Sequence, residues 1–264
     1  MQFGFTTSFS CPKDRIDPDF YRAAKEAGFD FLELTAVMID SISEDERKRL
    51  VECLKTIGIE STGLSSLFPA RIRFFESSGE EIEEYLDGMF AKVKDLGVKT
   101  IGFGSGKSRC LPENMSRDEG MEIFVERVRK HMIPYLEKYG YDMVIEPFNP
   151  VECNFILTVA EAAEAIQKIG SGLIGVLPDT LHMIGSKDDP ALIADEIGLV
   201  RNIHVSEPDR IMPVKGYSPE CLAYLQAFAA AGYDGAVCFE TKCADLRDLR
   251  PALELLRSTI GGKA

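Results

Sequence analysis

The chain has 264 residues, 45% of them hydrophobic, enough to enclose a full core and within the range where α/β barrels form a single domain. Its 43 acidic against 30 basic side chains leave a formal charge of −13, which repels nucleic-acid phosphates on average and favours small neutral or metal-bound ligands. Seven cysteines without a CxxC pair argue against a disulfide framework or a zinc–thiolate cage. No stretch reaches the roughly 18 apolar residues of a membrane span, and MQFGFTTSFS lacks a basic region leading into an apolar run, so a cytoplasmic protein with reduced thiols is expected.

In chain order, strands are predicted over 2–7, 29–35, 58–65, 98–104, 141–146, 173–179, 199–205 and 235–240. Between them the period changes. Ile82, Tyr85, Leu86, Met89, Phe90, Val93 and Leu96 recur at helical spacing, as do Met121, Phe124, Val125, Val128, Met132, Tyr135 and Leu136. Several strands follow a helix-ending glycine, as in EAGFDFLEL, KTIGIEST and EKYGYDMVIE. No linker or composition shift interrupts this rhythm. Eight βα steps over residues 1–264 predict one α/β domain, a (β/α)8 TIM barrel. The competing doubly wound sheet lacks a GxGxxG turn after its first strand.

In such a barrel function sits at the C-terminal ends of the strands. Glu33, Glu146, Asp179, His204 and Glu240 fall there, each behind an apolar run such as DMVI or AVCF. Unpaired carboxylates at a shared buried mouth are costly, and a cation is the expected remedy. Glu146, Asp179, His204 and Glu240 form an oxygen-rich set that suits Mn²⁺ or Mg²⁺, with Co²⁺ also acceptable and thiolate-bound zinc disfavoured.

Other residues have plainer readings. Glu33 alone suits capping or a Lys pair, and Arg210 suits a surface pair with Asp209 or Glu207. His182, three residues after Asp179, suits the core or the site, whereas His131 in VRKHMIP falls on the charged, solvated side of a helix. Cys153 and Cys238 read as packing residues, because no partner set activates either. Phe9, Leu67 and Phe68 are candidate hydrophobic walls of the site, with Phe5 and Phe103 more suited to the core.

EPFNPVE, DTLH, HVSEPDR and the FE ending the eighth strand resemble, in order and spacing, signatures of the xylose-isomerase-like TIM barrels, most closely the ketose 3-epimerases acting on D-tagatose and D-psicose. The resemblance implies that Glu146, Asp179, His204 and Glu240 bind the divalent metal, with Mn²⁺ foremost. It implies that Glu146 and Glu240 are the acid/base pair that inverts C3 of a free ketose through a cis-enediolate. Glu152, His182 and Arg210 match positions that hold the sugar oxygens near C1 to C3. A homodimer or homotetramer with a small-molecule sugar as substrate is implied as well.

The match has departures. Pro150 replaces an Arg, Ser206 replaces a Gly, and the chain has no Trp. Alternatives on the same barrel are an aldose–ketose isomerase, an epimerase of a phosphorylated pentulose and an inosose-type lyase. GSGKSR at 104–109 is the one candidate for a phosphate loop. Three histidines and the acidic charge argue against an apurinic endonuclease.

Overall fold

Each predicted strand forms inside its expected span: β1 Gln2–Thr6, β2 Phe31–Thr35, β3 Glu60–Ser65, β4 Thr100–Phe103, β5 Asp142–Ile145, β6 Ile174–Val176, β7 Asn202–Val205 and β8 Ala236–Phe239. The structure, a computed structural model, describes residues 1–9 and 16–261. Cys11 lies outside them. All strand pairs are parallel in the order β6-β5-β4-β3-β2-β1-β8-β7, with helices in between, which is a (β/α)8 TIM barrel. The ring closes between β6 and β7 through the isolated parallel bridges Val176↔Val200 and Asp179↔His204. Side chains reinforce this seam, since Thr180 Oγ1 donates to the Ser206 carbonyl at 2.8 Å and accepts from the Ser206 amide at 2.9 Å.

The predicted glycine stops work as helix terminators. Gly28 and Gly58 take φ of 104° and 73°, a left-handed conformation that strains other residues, and their amides return to carbonyls of the preceding turn. The stripe beginning at Ile82 becomes helix Gly79–Val93, opened by a Ser78/Glu81 capping box and burying Ile82, Leu86, Met89, Phe90 and Val93. The next stripe is interrupted. Pro134 has no amide for the carbonyl one turn back, and the chain passes from helix Arg117–Arg127 through a π-turn at Val128–Met132 before resuming as Ile133–Tyr139.

Two expectations need correction. His131 is largely enclosed, with its Nδ1 2.6 Å from Glu83 Oε1 and its ring beside Gly79, because its side chain packs on the helix Gly79–Val93 while Arg129 and Lys130 beside it stay exposed. Leu67 and Phe68 belong to the core, where Phe68 packs on Phe74, Tyr85 and Phe103. Phe5 and Phe103 are fully buried, and of the five wall candidates Phe9 alone is exposed, at 39%. Cys153, Cys221 and Cys238 are buried thiols. No helix among the described residues is long and apolar enough to cross a membrane.

Candidate active site and metal centre

Proline places the acids. Glu146 follows β5 and precedes Pro147, which cannot donate to a ladder, so the strand stops with the carboxylate at the barrel mouth. Pro178 precedes Asp179 after β6 in the same manner, and its carbonyl accepts from the His204 amide at 2.8 Å. Asp179 also caps helix Thr180–Ser186 by accepting from the Leu181 amide at 2.7 Å. Glu240, one residue past β8, donates its amide to the Val205 carbonyl at 3.1 Å.

These elements bring Glu146, Asp179, His204 and Glu240 together. All four are buried, and one potential ligand atom from each lies within 4.8 Å of the others. His204 Nδ1 is 3.8 Å from Glu146 Oε1 and 3.9 Å from Glu240 Oε2, and it has no hydrogen-bond partner among the described residues. A buried ring nitrogen facing two carboxylates, with no hydrogen-bond partner, fits a divalent cation.

The electrostatics support the same fit. Burial, and then the Glu240 charge, push Glu146 well above the usual carboxylate range and Asp179 up to about 8. Burial alone would also raise Glu240, but His204 and Arg210 outweigh it and hold that carboxyl at about 2. His204 is raised to about 10, since the burial that would lower it is outweighed by Glu33 and the other carboxylates. The cluster therefore retains protons that a dication would replace.

Arg210 is not on the surface. Its Nη1 lies 2.6 Å from Glu240 Oε2 and 3.7 Å from Asp179 Oδ2, and its guanidinium sits 4.5 Å from the centre of the Phe9 ring. The backbone of Arg210 takes φ of 55°, a sparsely populated conformation for a non-glycine residue, and its carbonyl accepts from the Lys242 amide at 2.6 Å.

His182 is buried against the ring of Phe148, with centroids 4.4 Å apart. Burial lowers it to about 3, so the ring is neutral. Its Nδ1 accepts from Asn149 Nδ2 at 2.9 Å, which leaves the proton on Nε2, 3.8 Å from Glu146 Oε1. Glu152 stands at the rim with its side chain 45% exposed, and its Oε1 accepts from the same Asn149 amide at 3.2 Å.

Asn149, given no role from sequence, thus organises both His182 and Glu152. Its Oδ1 accepts from the amides of Val151 and Glu152 at 2.9 and 3.2 Å, an Asx turn that suits Pro150 as its second residue. Gly104 was also overlooked, although a Cβ there would lie 1.7 Å from Glu146 Oε2. Ser206 Oγ lies 2.8 Å from the Glu240 carbonyl and 3.3 Å from Asp179 Oδ2.

The 104–109 loop serves the scaffold. Arg109 turns inward, fully buried between Phe103 and Phe148, and donates to the carbonyls of Phe103 and Glu146. Ser105 accepts from the Phe68 amide, and Ser108 donates to the Ile72 carbonyl. Of the loop's polar side chains, Lys107 remains exposed.

The family profile of the xylose isomerase-like TIM barrel matches residues 21–259, and the chain belongs to that family. No curated protein sequence matches it significantly. Among solved structures it is similar to D-psicose 3-epimerase with D-tagatose from Clostridium cellulolyticum H10, with a TM-score of 0.81 and 21% identity over 98% of this chain and 99% of that one. It is similar to the 3-keto-D-glucoside 4-epimerase YcjR from E. coli, with a TM-score of 0.72 and 21% identity over 98% of this chain and 99% of the other. The IOLI protein with a bound zinc atom gives a TM-score of 0.78 at 16% identity, covering 99% and 98% of the two chains. At these identities the likeness shows the fold.

Proposed function

We propose that this chain is an isomerase, a metal-dependent epimerase that inverts C3 of a free ketose with Glu146 and Glu240 as the acid/base pair. One observation carries the reading: carboxylates from the ends of β5 and β8, separate parts of the barrel wall, meet in one buried cluster with Asp179 and His204. Two carboxylates from separate strands can address opposite faces of one carbon, whereas a single base returns the proton to the face it left.

Glu146, Asp179, His204 and Glu240 would hold the ion, with Mn²⁺ foremost and Mg²⁺ or Co²⁺ as substitutes. When bound, the cation polarises a substrate carbonyl and acidifies the neighbouring C–H. One glutamate takes the C3 proton to give a cis-enediolate, and the other delivers a proton to the opposite face. Arg210 and the neutral Nε2–H of His182 face the same space and donate to the developing oxyanion. Glu152, at the rim, accepts from a sugar hydroxyl. The sugar epimerases among similar folds support the substrate class. The inward turn of Arg109 and Ser108 favours an unphosphorylated sugar over a phosphorylated pentulose. The reading includes one domain over residues 1–264, a cytoplasmic location and a homodimer or homotetramer.

The test is incubation of the metal-reconstituted protein with free ketohexoses and ketopentoses in D₂O, following deuterium by NMR. Deuterium at C3 of an epimeric ketose is the expected result. Exchange at C1 with an aldose product would make it an aldose–ketose isomerase. Absence of exchange with every free ketose would overturn the proposal in favour of a phosphorylated or cyclitol substrate, the latter for an inosose-type lyase.

A further inference from the structure

We propose that Glu33 is a positioning residue for the metal centre, holding the His204 ring so that Nδ1 is presented to the cluster. The inference rests on the metal-centre reading above and concerns a residue that sequence alone leaves as a cap or a Lys pair.

Glu33 lies on β2, separated from β7 by β1 and β8, yet its side chain reaches the ring of His204 inside the barrel. Glu33 Oε1 is 2.9 Å from His204 Nε2, within ion-pair distance though off hydrogen-bond alignment, and Oε2 accepts from Asn202 Nδ2 at 3.1 Å. Asn202 precedes His204 by two residues on β7, so both side chains point to the same face. The carboxylate is accommodated by Gly63, its register partner on β3, where a Cβ would come within 2.7 Å of Oε2. Glu33 is only 3% exposed, so the arrangement is fully desolvated.

The chemical consequence follows from the imidazole. A neutral ring has one N–H and one lone pair, and the nitrogen nearer a carboxylate takes the proton: Nε2 is 2.9 Å from Glu33, against 3.8 and 3.9 Å from Nδ1 to Glu146 and Glu240. Glu33 therefore assigns the N–H to Nε2 and leaves Nδ1, which faces Glu146 and Glu240, as the ligand atom. Such carboxylate–histidine pairs behind a metal orient the ring and raise its basicity. Glu33, His204 and Cys238 also lie within 4.8 Å of one another as a conceivable second ion site. That arrangement would require both nitrogens of His204 as ligands at once, and the single-ion reading does not.

Glu33→Gln preserves the size of the side chain and removes its charge, and Asn202→Ala removes the group that holds the carboxylate. Titration calorimetry with Mn²⁺ should show Kd weakened about 10–100-fold in Glu33→Gln and less, in the same direction, in Asn202→Ala. With ¹⁵N-histidine labelling and Mg²⁺ bound, the wild-type His204 spectrum should show protonated Nε2 and unprotonated Nδ1, and Glu33→Gln should lose that single tautomer. Unchanged Kd and unchanged His204 resonances in both variants would overturn the proposal. Binding of two ions by the wild type and one by Glu33→Gln would also overturn it, by making Glu33 a ligand. A wild-type protein that binds no divalent ion would remove the metal-centre reading itself.

Discussion

Arg210 Nη1 lies 2.6 Å from Glu240 Oε2, and the two side chains are largely buried together at the mouth of the barrel. Their pairing helps keep Glu240 ionised at about 2 despite burial. Arg210→Met should therefore raise the proton affinity of Glu240, move the acidic limb of the kcat profile to higher pH and lower kcat by about 10²–10³-fold. A pH–rate series on the metal-loaded variant checks this; an unshifted acidic limb would separate Arg210 from the titration of Glu240.

Glu146→Gln and Glu240→Gln each remove one of two groups with distinct surroundings. Burial raises Glu146, while cationic neighbours depress Glu240. Each substitution should lower turnover by about 10²–10⁴-fold. Metal content must be measured in parallel, because both residues also belong to the cluster. A near-normal rate in either variant would contradict a two-base reaction.

The metal-free protein should become less stable as pH rises from about 6.5 to about 8. Asp179 moves from an ordinary value of 3.8 to about 8 on folding, so the folded state takes up a proton in that window. Its contribution is fully present below about pH 4 and is lost progressively up to about 8, at no more than about 1.4 kcal/mol per pH unit for one such group. Glu146 acts in the same direction, whereas His182, lowered from 6.5 to about 3, opposes both below about 6.5; above that pH His204, raised to about 10, joins them. Mn²⁺ should counter this trend, because a cation takes the place of the protons. Thermal unfolding across this range, with and without the ion, measures both effects; a metal-free Tm that rises from about pH 6.5 to 8 would contradict the assignment.

Much of this arrangement was legible in the chain. Short apolar runs located the strands, glycines such as Gly58 marked the ends of helices, and the runs DMVI and AVCF leading into Glu146 and Glu240 pointed to a shared mouth. Legibility failed where the answer depends on what faces a side chain across the fold. Arg109 in GSGKSR has the composition of an anion loop, and its inward turn depends on Phe103 and Phe148 coming to lie on either side of it. His131 looked solvated because helical period shows which side of a helix is polar but not which neighbour covers it. Asn149 was visible within EPFNPVE, but its link to His182 crosses 33 positions.

Gly104→Ala tests a constraint that charge and period do not reveal. A Cβ at this position would lie 1.7 Å from Glu146 Oε2, so the carboxylate must move. Turnover should fall by at least about 10²-fold, while overpacking lowers stability by only about 1–3 kcal/mol. Kinetics and denaturant unfolding of the same variant separate the two effects. Wild-type turnover would mean that Glu146 reacts from a different rotamer.

The seam between β6 and β7 joins assembly of the barrel to assembly of its site. The Asp179↔His204 bridge belongs to the pairing that completes the ring, and the same two residues contribute half of the four-residue cluster. Until those edges meet, the cavity has no complete ligand set, so a cation cannot recruit all four groups in a chain whose ring is still open. The ion would then act as a latch on the final pairing, and its loss would loosen the barrel first at the mouth that carries the cluster.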